Sequence, residues 1–493
     1  MTSNLAVGLL SSGVPGLDMV LGGGLQEFSF NVIAGAPGTG KTTLAYQLMF
    51  ALATPERPAL YFTVLGEPPI RVLRHQQRYR FFDLDRFNRC IRLFSLTEAA
   101  ATGNPGKVLY QIAKEVTAFE PGLVVVDSFR TVLLAGGSGV KARVGLQKFV
   151  QDLSVLMMSW QATTFILGED AHDEDLSPAF TVADGVIVLN QSTNHNVAVR
   201  KLEVCKMRGQ ATLPGLHAFR IGVDGVEVFP RRMALGASAL PAVTTDQRLD
   251  MGVPGLNEMM GGGLPRGYSL LVAGPSGSGK SILAAAFLAE GVRRGEAGVI
   301  AAFEQRSHTS RGPVLASLIK KGQVGVVDTS SPALSVEEIA WLLLVEIRRL
   351  GAVRVVIDSL SGFELALAPT FREEFREALS RMVAALAAEG VSVVMVSELE
   401  DRYNDLRFSP YGTAFLTDAI VVQRYIEIDG RLQRVLAVVK LRGCAHSSEL
   451  RLFHIDDDGL HVDGMLPGYE GLLRGQPTRR IDRLPSAVSI DDA

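Results

Sequence analysis

The sequence predicts an α/β protein made of two tandem modules, each a mainly parallel sheet flanked by helices. Three observations carry that expectation. Short apolar runs of strand length alternate with longer helical stretches, the pattern of strands buried on both faces. The stretch GAPGTGKT, Gly35 to Thr42, returns as GPSGSGKS, Gly274 to Ser281. The surroundings return in the same order. GVPGLDMVLGGGL from Gly13 and GVPGLNEMMGGGL from Gly252 lie 239 positions apart, as do the two glycine-rich loops. Downstream, Asp127 in LVVVDS and Asp358 in VRVVIDS are 231 apart, and Lys206 in CKMRG and Lys440 in VKLRG are 234 apart. Motifs that keep their order with so little drift indicate a duplicated domain.

Along the chain, the first strand spans Phe28 to Ala34, and TTLAYQLMFALA after the loop is the first helix; the counterparts are Ser269 to Ala273 and SILAAAFLAEGVRRG. In G-x-x-x-x-G-K-[ST], glycines let backbone N–H groups curl round a pyrophosphate, the lysine reaches the β and γ oxygens, and the hydroxyl holds Mg²⁺. The helix N-terminus adds its dipole. Nucleotide contacts therefore fall to Gly35, Gly38, Thr39, Gly40, Lys41, Thr42 and Thr43, and to Gly274, Gly277, Ser278, Gly279, Lys280 and Ser281.

ALYFTVLG and GVIAAF supply the next strands, and Glu67 and Glu304 just beyond them are candidate general bases that orient water against a γ-phosphate. Arg71 to Arg92, RVLRHQQRYRFFDLDRFNRCIR, reads as an amphipathic helix with Val72, Leu73 and Tyr79 on one side. Its basic side faces solvent or another subunit; contact with phosphates is the alternative. The strand-end carboxylates Asp127 and Asp358 suit a Mg²⁺ site shared with Thr42 and Ser281. Glu169 in FILGE and Glu398 in VVMVSE are reserve carboxylates at further strand ends. In KMRG and KLRG, Lys206 with Arg208 and Lys440 with Arg442 stand at i and i+2, on one side of an extended segment. Such a pair can bracket a γ-phosphate. Its distance along the chain from the loop suits delivery from an adjacent subunit, which makes a ring; a surface hairpin with incidental charges is the alternative.

Composition narrows the function classes. The 493 residues carry 49 Lys and Arg against 52 Asp and Glu, a net charge of −3, with no electrostatic footprint for nucleic acid. The apolar runs fall far short of the ~20 residues of a membrane span. MTSNLAVGLLSSG lacks the basic start and cleavage pattern of a signal peptide. Three cysteines, Cys90, Cys205 and Cys444, make neither a disulfide framework nor a metal spacing, so the cytoplasm is the expected compartment. The expected domains are 1–232 and 249–470, joined by a linker at 233–248 that contains ALGASALPAVTTDQ, with a flexible tail at 471–493.

The SSGVPGLDMVLGGGL opening, both glycine-rich loops, the FTVLGEPP and AAFEQ strand ends, VVVDS and VVIDS, and the closing K-[ML]-R-G together resemble the KaiC family over roughly residues 5 to 465. These are double-domain members of the RecA/DnaB-like P-loop ATPases. The resemblance implies two RecA-like domains in a two-tiered homohexamer, ATP between subunits, an ATPase first tier and a second tier able to autophosphorylate. It implies family roles for Lys41, Thr42, Glu67, Asp127, Lys206 and Arg208, and for Lys280, Ser281, Glu304, Asp358, Lys440 and Arg442. Two departures stand out. Clock-type members have two adjacent glutamates after the strand, where this chain has Gly66-Glu67 and Glu304-Gln305. Their Ser-Thr phosphoacceptor pair corresponds to Ala414 and Phe415 in YGTAFLTDAI, with Thr413 and Thr417 as the nearby hydroxyls. The expectation is an ATP- and Mg²⁺-dependent hexameric ATPase in a signalling or regulatory role with protein partners, and at most weak Ser/Thr autokinase activity. A nucleotide-dependent assembly switch or scaffold with negligible turnover, and a DNA-acting ATPase of the same superfamily, are the alternatives.

Overall fold

A computed structural model describes residues 8–63, 74–127, 140–168, 177–194, 197–231, 247–303, 313–327, 329, 334–367, 369–372, 374–399, 416–472 and 477–479 of the chain. The protein forms two compact units, Met1–Ala234 and Leu235–Ala493.

The main sheet of the first unit holds β1 (Phe30–Gly35), β2 (Ala59–Thr63), β3 (Ile91–Ser95), β4 (Leu123–Asp127), β5 (Thr163–Gly168), β6 (Gly185–Asn194), β7 (Val197–Met207), β8 (His217–Gly222) and β9 (Gly225–Phe229). Across the sheet they run β3-β2-β4-β5-β1-β6-β7-β8-β9. From β3 to β6 every pairing is parallel, and β7 to β9 extend that edge as antiparallel hairpins.

The second unit repeats the path with β10 (Ser269–Gly274), β11 (Gly298–Ala302), β12 (Val324–Val327), β13 (Arg354–Asp358), β14 (Ser392–Glu398), β15 (Ala419–Ile428), β16 (Arg431–Leu441), β17 (Arg451–Asp456) and β18 (Gly459–Met465). Their order is β12-β11-β13-β14-β10-β15-β16-β17-β18. Nine strands in the same permutation bear out the tandem α/β fold and the duplication.

Residue alternation explains why the strands read as continuous apolar runs. Ile33, Tyr61, Val125 and Phe165 pack on one face with Leu44 and Leu48 of the helix Lys41–Leu52. Their neighbours Val32, Phe62, Val126 and Ile166 pack on the other, against Val108 and Ile112 of Pro105–Phe119 and Leu153 of Val140–Ser159. A strand with both faces covered has no position left for a polar alternation. The N-terminal motif of each module is structural. Its ribbon pairs Leu9–Leu10 with Leu25–Gln26, and Arg248–Leu249 with Leu264–Pro265. Asp18 accepts from Ser12 N at 2.8 Å and its counterpart Asn257 from Met251 N at 2.9 Å, closing the same loop.

Three expectations need correction. The first strand starts at Phe30, because Phe28 adopts φ 60° and turns the chain. The stretch from Arg71 to Arg92 is not one helix. Asp83 accepts from Arg86 N and starts a separate short helix, Leu84–Cys90, which leads directly into β3, while Tyr79 and Phe81 stack on each other in the turn before it; Val72 and Leu73 lie outside the described residues. The expected tail is partly folded: Thr478–Arg479 pairs with Tyr469–Glu470, and Leu472 is buried with Ile426 and Val435. Among the described residues, no helix is long and apolar enough to cross a membrane.

The second unit carries a fully buried cation where the equivalent position of the first is apolar. Arg354 opens β13 at 0% exposure, where the first unit has Leu123. Its guanidinium donates to Glu296 at 2.7 Å, to Asp250 O at 2.7 Å and to Phe287 O at 2.8 Å, and lies 4.5 Å over the Phe287 ring. Removing one partner of such a set leaves the others unmatched. Arg354→Ala is expected to lower the stability of the second unit by roughly 3–5 kcal/mol. Urea unfolding in a Trp160→Phe background, where Trp341 reports on the second unit, measures it.

Candidate functional site

Each site begins where the central strand ends. Gly35 closes β1 against β6, and a Cβ there would stand 2.2 Å from Leu189 O, so only glycine lets the chain turn into the loop at this point. Gly40 adopts φ 104° as N-cap of the helix Lys41–Leu52, and Gly279 adopts φ 102° as N-cap of Lys280–Arg293. No side chain caps either helix. Their leading N–H groups and positive dipole ends are thus presented to whatever the loop encloses, and an anion is the matching ligand.

Charge is placed inside that curve. Lys41 is buried to 8% exposure and its Nζ donates to Gly35 O at 2.6 Å and Ala36 O at 3.0 Å. Lys280 has the same exposure and donates to Pro275 O at 2.7 Å. Thr42 Oγ1 donates to Asp127 Oδ2 at 3.1 Å, joining the start of the helix to the end of β4. Tyr61 Oη donates to the same carboxylate oxygen at 2.5 Å. In the second unit Ser281 and Asp358 hold the equivalent positions, directly after Lys280 and at the end of β13. A hydroxyl and a carboxylate side by side, next to a glycine-rich loop at a helix N-terminus, fit Mg²⁺, which takes few protein ligands and keeps the rest for water and phosphate.

The first unit's loop opens on a cavity of about 410 Å³ lined by Gly38, Gly40, Lys41, Thr42, Thr43, Tyr79, Arg200 and Ile221. Thr39 and Ser278 shape the loops themselves. Thr39 Oγ1 donates to Ala36 O at 2.9 Å, and Ser278 Oγ to Gln423 Oε1 at 3.1 Å. Gly274 pairs with Glu398 in register, and a Cβ on Gly277 would lie 3.1 Å from Tyr425 Oη.

Sequence reasoning missed Arg200 and Tyr79 as cavity residues. Arg200 stands opposite Gln191 on β7, and its counterpart Arg434 stands opposite Tyr425 on β16, with the guanidinium 5.4 Å over that ring. A signal was available: each arginine precedes the lysine of K-[ML]-R-G by six positions. Tyr79 was hidden in the basic stretch because helical spacing there suggested a packing role.

The Lys-Arg pairs sit elsewhere. Lys206 Nζ donates to Phe180 O and Thr181 O at 3.2 and 3.1 Å, and Arg208 pairs with Asp184 at 3.2 Å. Lys440 Nζ donates to Thr417 O at 2.5 Å, and Arg442 pairs with Asp418 at 3.5 Å. Both pairs lie where β6 and β15 begin, whereas the loops lie where β1 and β10 end. Gly185, opposite Met207, and Leu189, opposite Gly35, are four residues apart on β6, about 13 Å at ~3.3 Å per residue. The structure does not bring Lys206 and Arg208 to their own unit's loop. Partial burial and the charge of Arg208 hold the Lys206 ammonium below its ordinary pKa, and burial and Arg442 do the same to Lys440. Two crowded cations of this kind gain from an anion between them.

Glu398 is exposed at the end of β14, and Thr417 is fully buried. Glu67, Glu169, Glu304, Thr413, Ala414 and Phe415 lie outside the described residues.

A family model described as "ATPase: KaiC" matches residues 10–233 and again 249–465. "Circadian clock oscillator protein KaiC 1" of Synechocystis sp. (strain ATCC 27184 / PCC 6803 / Kazusa) is 27% identical over 97% of this chain and 92% of its own. "Circadian clock oscillator protein KaiC" of Prochlorococcus marinus (strain MIT 9313) is 24% identical over 98% of each chain. With both units matched and the loop, strand-end aspartate and sheet order duplicated, the chain belongs to the KaiC family of ATPases.

Proposed function

We propose that each unit binds Mg-ATP at its own loop and that hydrolysis is completed by cations lent from a neighbouring copy, in a two-tiered homohexamer. The observation that carries this is the placement of loop and Lys-Arg pair at opposite ends of the same strands. Each unit then offers phosphate donors at one sheet edge and cations at the other, which is the arrangement a head-to-tail ring uses. Arg208 and Arg442 are 57% and 53% exposed, and the ion pairs that hold them are of the surface kind, worth about 0–1 kcal/mol. Exchange of Asp184 or Asp418 for a neighbour's γ-phosphate therefore costs little.

The residues divide the work. Lys41 and Lys280 with the loop N–H groups bind the phosphates. Thr42 with Asp127, and Ser281 with Asp358, would hold Mg²⁺, which would neutralise negative charge on the phosphates. Lys206 with Arg208 and Lys440 with Arg442 stabilise charge that builds on the transferred phosphoryl group. Glu67 and Glu304 orient water. The domains we assign are 1–232 and 249–470, with a linker at 233–248 and a tail at 471–493. Autokinase activity in the second domain is weak, because Ala414 and Phe415 offer no hydroxyl and Thr417 is fully buried, which leaves Thr413. The printed names of the relatives associate those proteins with the circadian clock; for this chain we infer a cytoplasmic signalling or regulatory ATPase with protein partners.

Light scattering with Mg-ATP is expected to give six times the protomer mass. On the same sample, Lys41→Ala combined with Lys280→Ala is expected to lower phosphate release by roughly 100-fold or more, the size of a lost transition-state contact. Assembly without phosphate release would instead make the protein a nucleotide-dependent switch. In a Lys280→Ala background, mixing Lys41→Ala with Arg208→Ala subunits is expected to restore part of the activity, since some interfaces then pair an intact loop with an intact arginine. Phosphate release no higher than in either unmixed variant would show that the cations act within one subunit.

A further inference from the structure

Tyr61 is a buried phenol, 2% exposed, at the middle of β2. In register it lies opposite Val125 on β4, two residues short of Asp127 on the same face. A tyrosine ring spans that diagonal, which an aliphatic side chain does not. Its Oη donates to Asp127 Oδ2, the oxygen that also accepts from Thr42. The ring stacks on Tyr46 of the helix Lys41–Leu52, with centroids 4.6 Å apart and planes at 22°.

The second unit differs at these two positions. At the equivalent offsets stand Ile300, opposite Val356, and Ala285 in the helix after the loop. Asp358 therefore receives no phenol from this position.

We propose that Tyr61 is a positioning residue for the metal half of the first site. By occupying one lone pair of Asp127 Oδ2 it sets the rotation of the carboxylate against Thr42. The proposal rests on the assignment of Thr42 and Asp127 to Mg²⁺ and goes beyond it, because it gives a role to a buried side chain outside the loop and its aspartate.

The test uses the full chain in a Lys280→Ala background, with a fluorescent ATP analogue titrated at a series of Mg²⁺ concentrations. Tyr61→Phe keeps the ring and its stacking on Tyr46 while removing the hydroxyl. The Mg²⁺ midpoint for binding is expected to rise roughly tenfold, the scale of a lost outer-shell hydrogen bond. Binding without Mg²⁺ should stay unchanged. In an Asp127→Asn background the same substitution should shift the midpoint much less. An unchanged midpoint, or equal shifts in the two backgrounds, overturns the proposal, as does a parent whose binding ignores Mg²⁺. Mg²⁺-dependent binding without phosphate release would remove the hydrolysis reading and leave the Tyr61 comparison standing.

Discussion

The bond from Thr42 to Asp127 joins the helix after β1 to the end of β4, two strands away in the sheet. At about 4.8 Å per strand that is nearly 10 Å, and the curl of the glycine loop brings the two groups together. Parallel strands are what make this repeatable. Every strand from β2 to β6 ends its run on the same edge, so loop and carboxylate converge there without a long connection. An antiparallel arrangement of the same apolar runs would send alternate strand ends to opposite edges and break up the set.

The same directionality sends other residues away. β7 returns antiparallel to β6, so its C-terminal end lies at the edge where β1 begins. Lys206 and Arg208 are consequently pinned to the carbonyls and carboxylate of residues 180–184. Asp184 Oδ2 also accepts from Phe30 N at 3.0 Å, and Asp418 Oδ2 from Ser269 N at 3.0 Å, so one carboxylate steadies the start of the central strand and the cation pair together. Both units carry this tie.

The two units share a path but not their buried polar chemistry. The first has Tyr46 and Tyr61 beneath its aspartate, where the second has Ala285 and Ile300. The second has Gln423 supporting Ser278 and Arg354 deep in its core, where the first has Leu189 and Leu123. All these substitutions sit on strand or helix faces that touch the loop helix. Duplication preserved the backbone frame, and the layer beneath each site diverged.

The sequence by itself determined the tandem α/β architecture, both glycine-rich loops and the strand-end aspartates, because each rests on a local pattern: apolar runs, glycines at set spacings, a carboxylate at a strand end. It also separated Lys206 and Arg208 from Gly35 along the chain. Only the tertiary structure decided that these groups lie at opposite ends of the central strand, that Arg200 and Tyr79 line the cavity, and that Tyr61 reaches Asp127. Those facts depend on strand order, direction and register, which arise from contacts between residues far apart in the chain. Helical spacing in Arg71 to Arg92 misled for the same reason: a local period says nothing of the aspartate cap and aromatic packing that divide the segment. A single sequence holds the residues of the site, but the sheet chooses which of them meet.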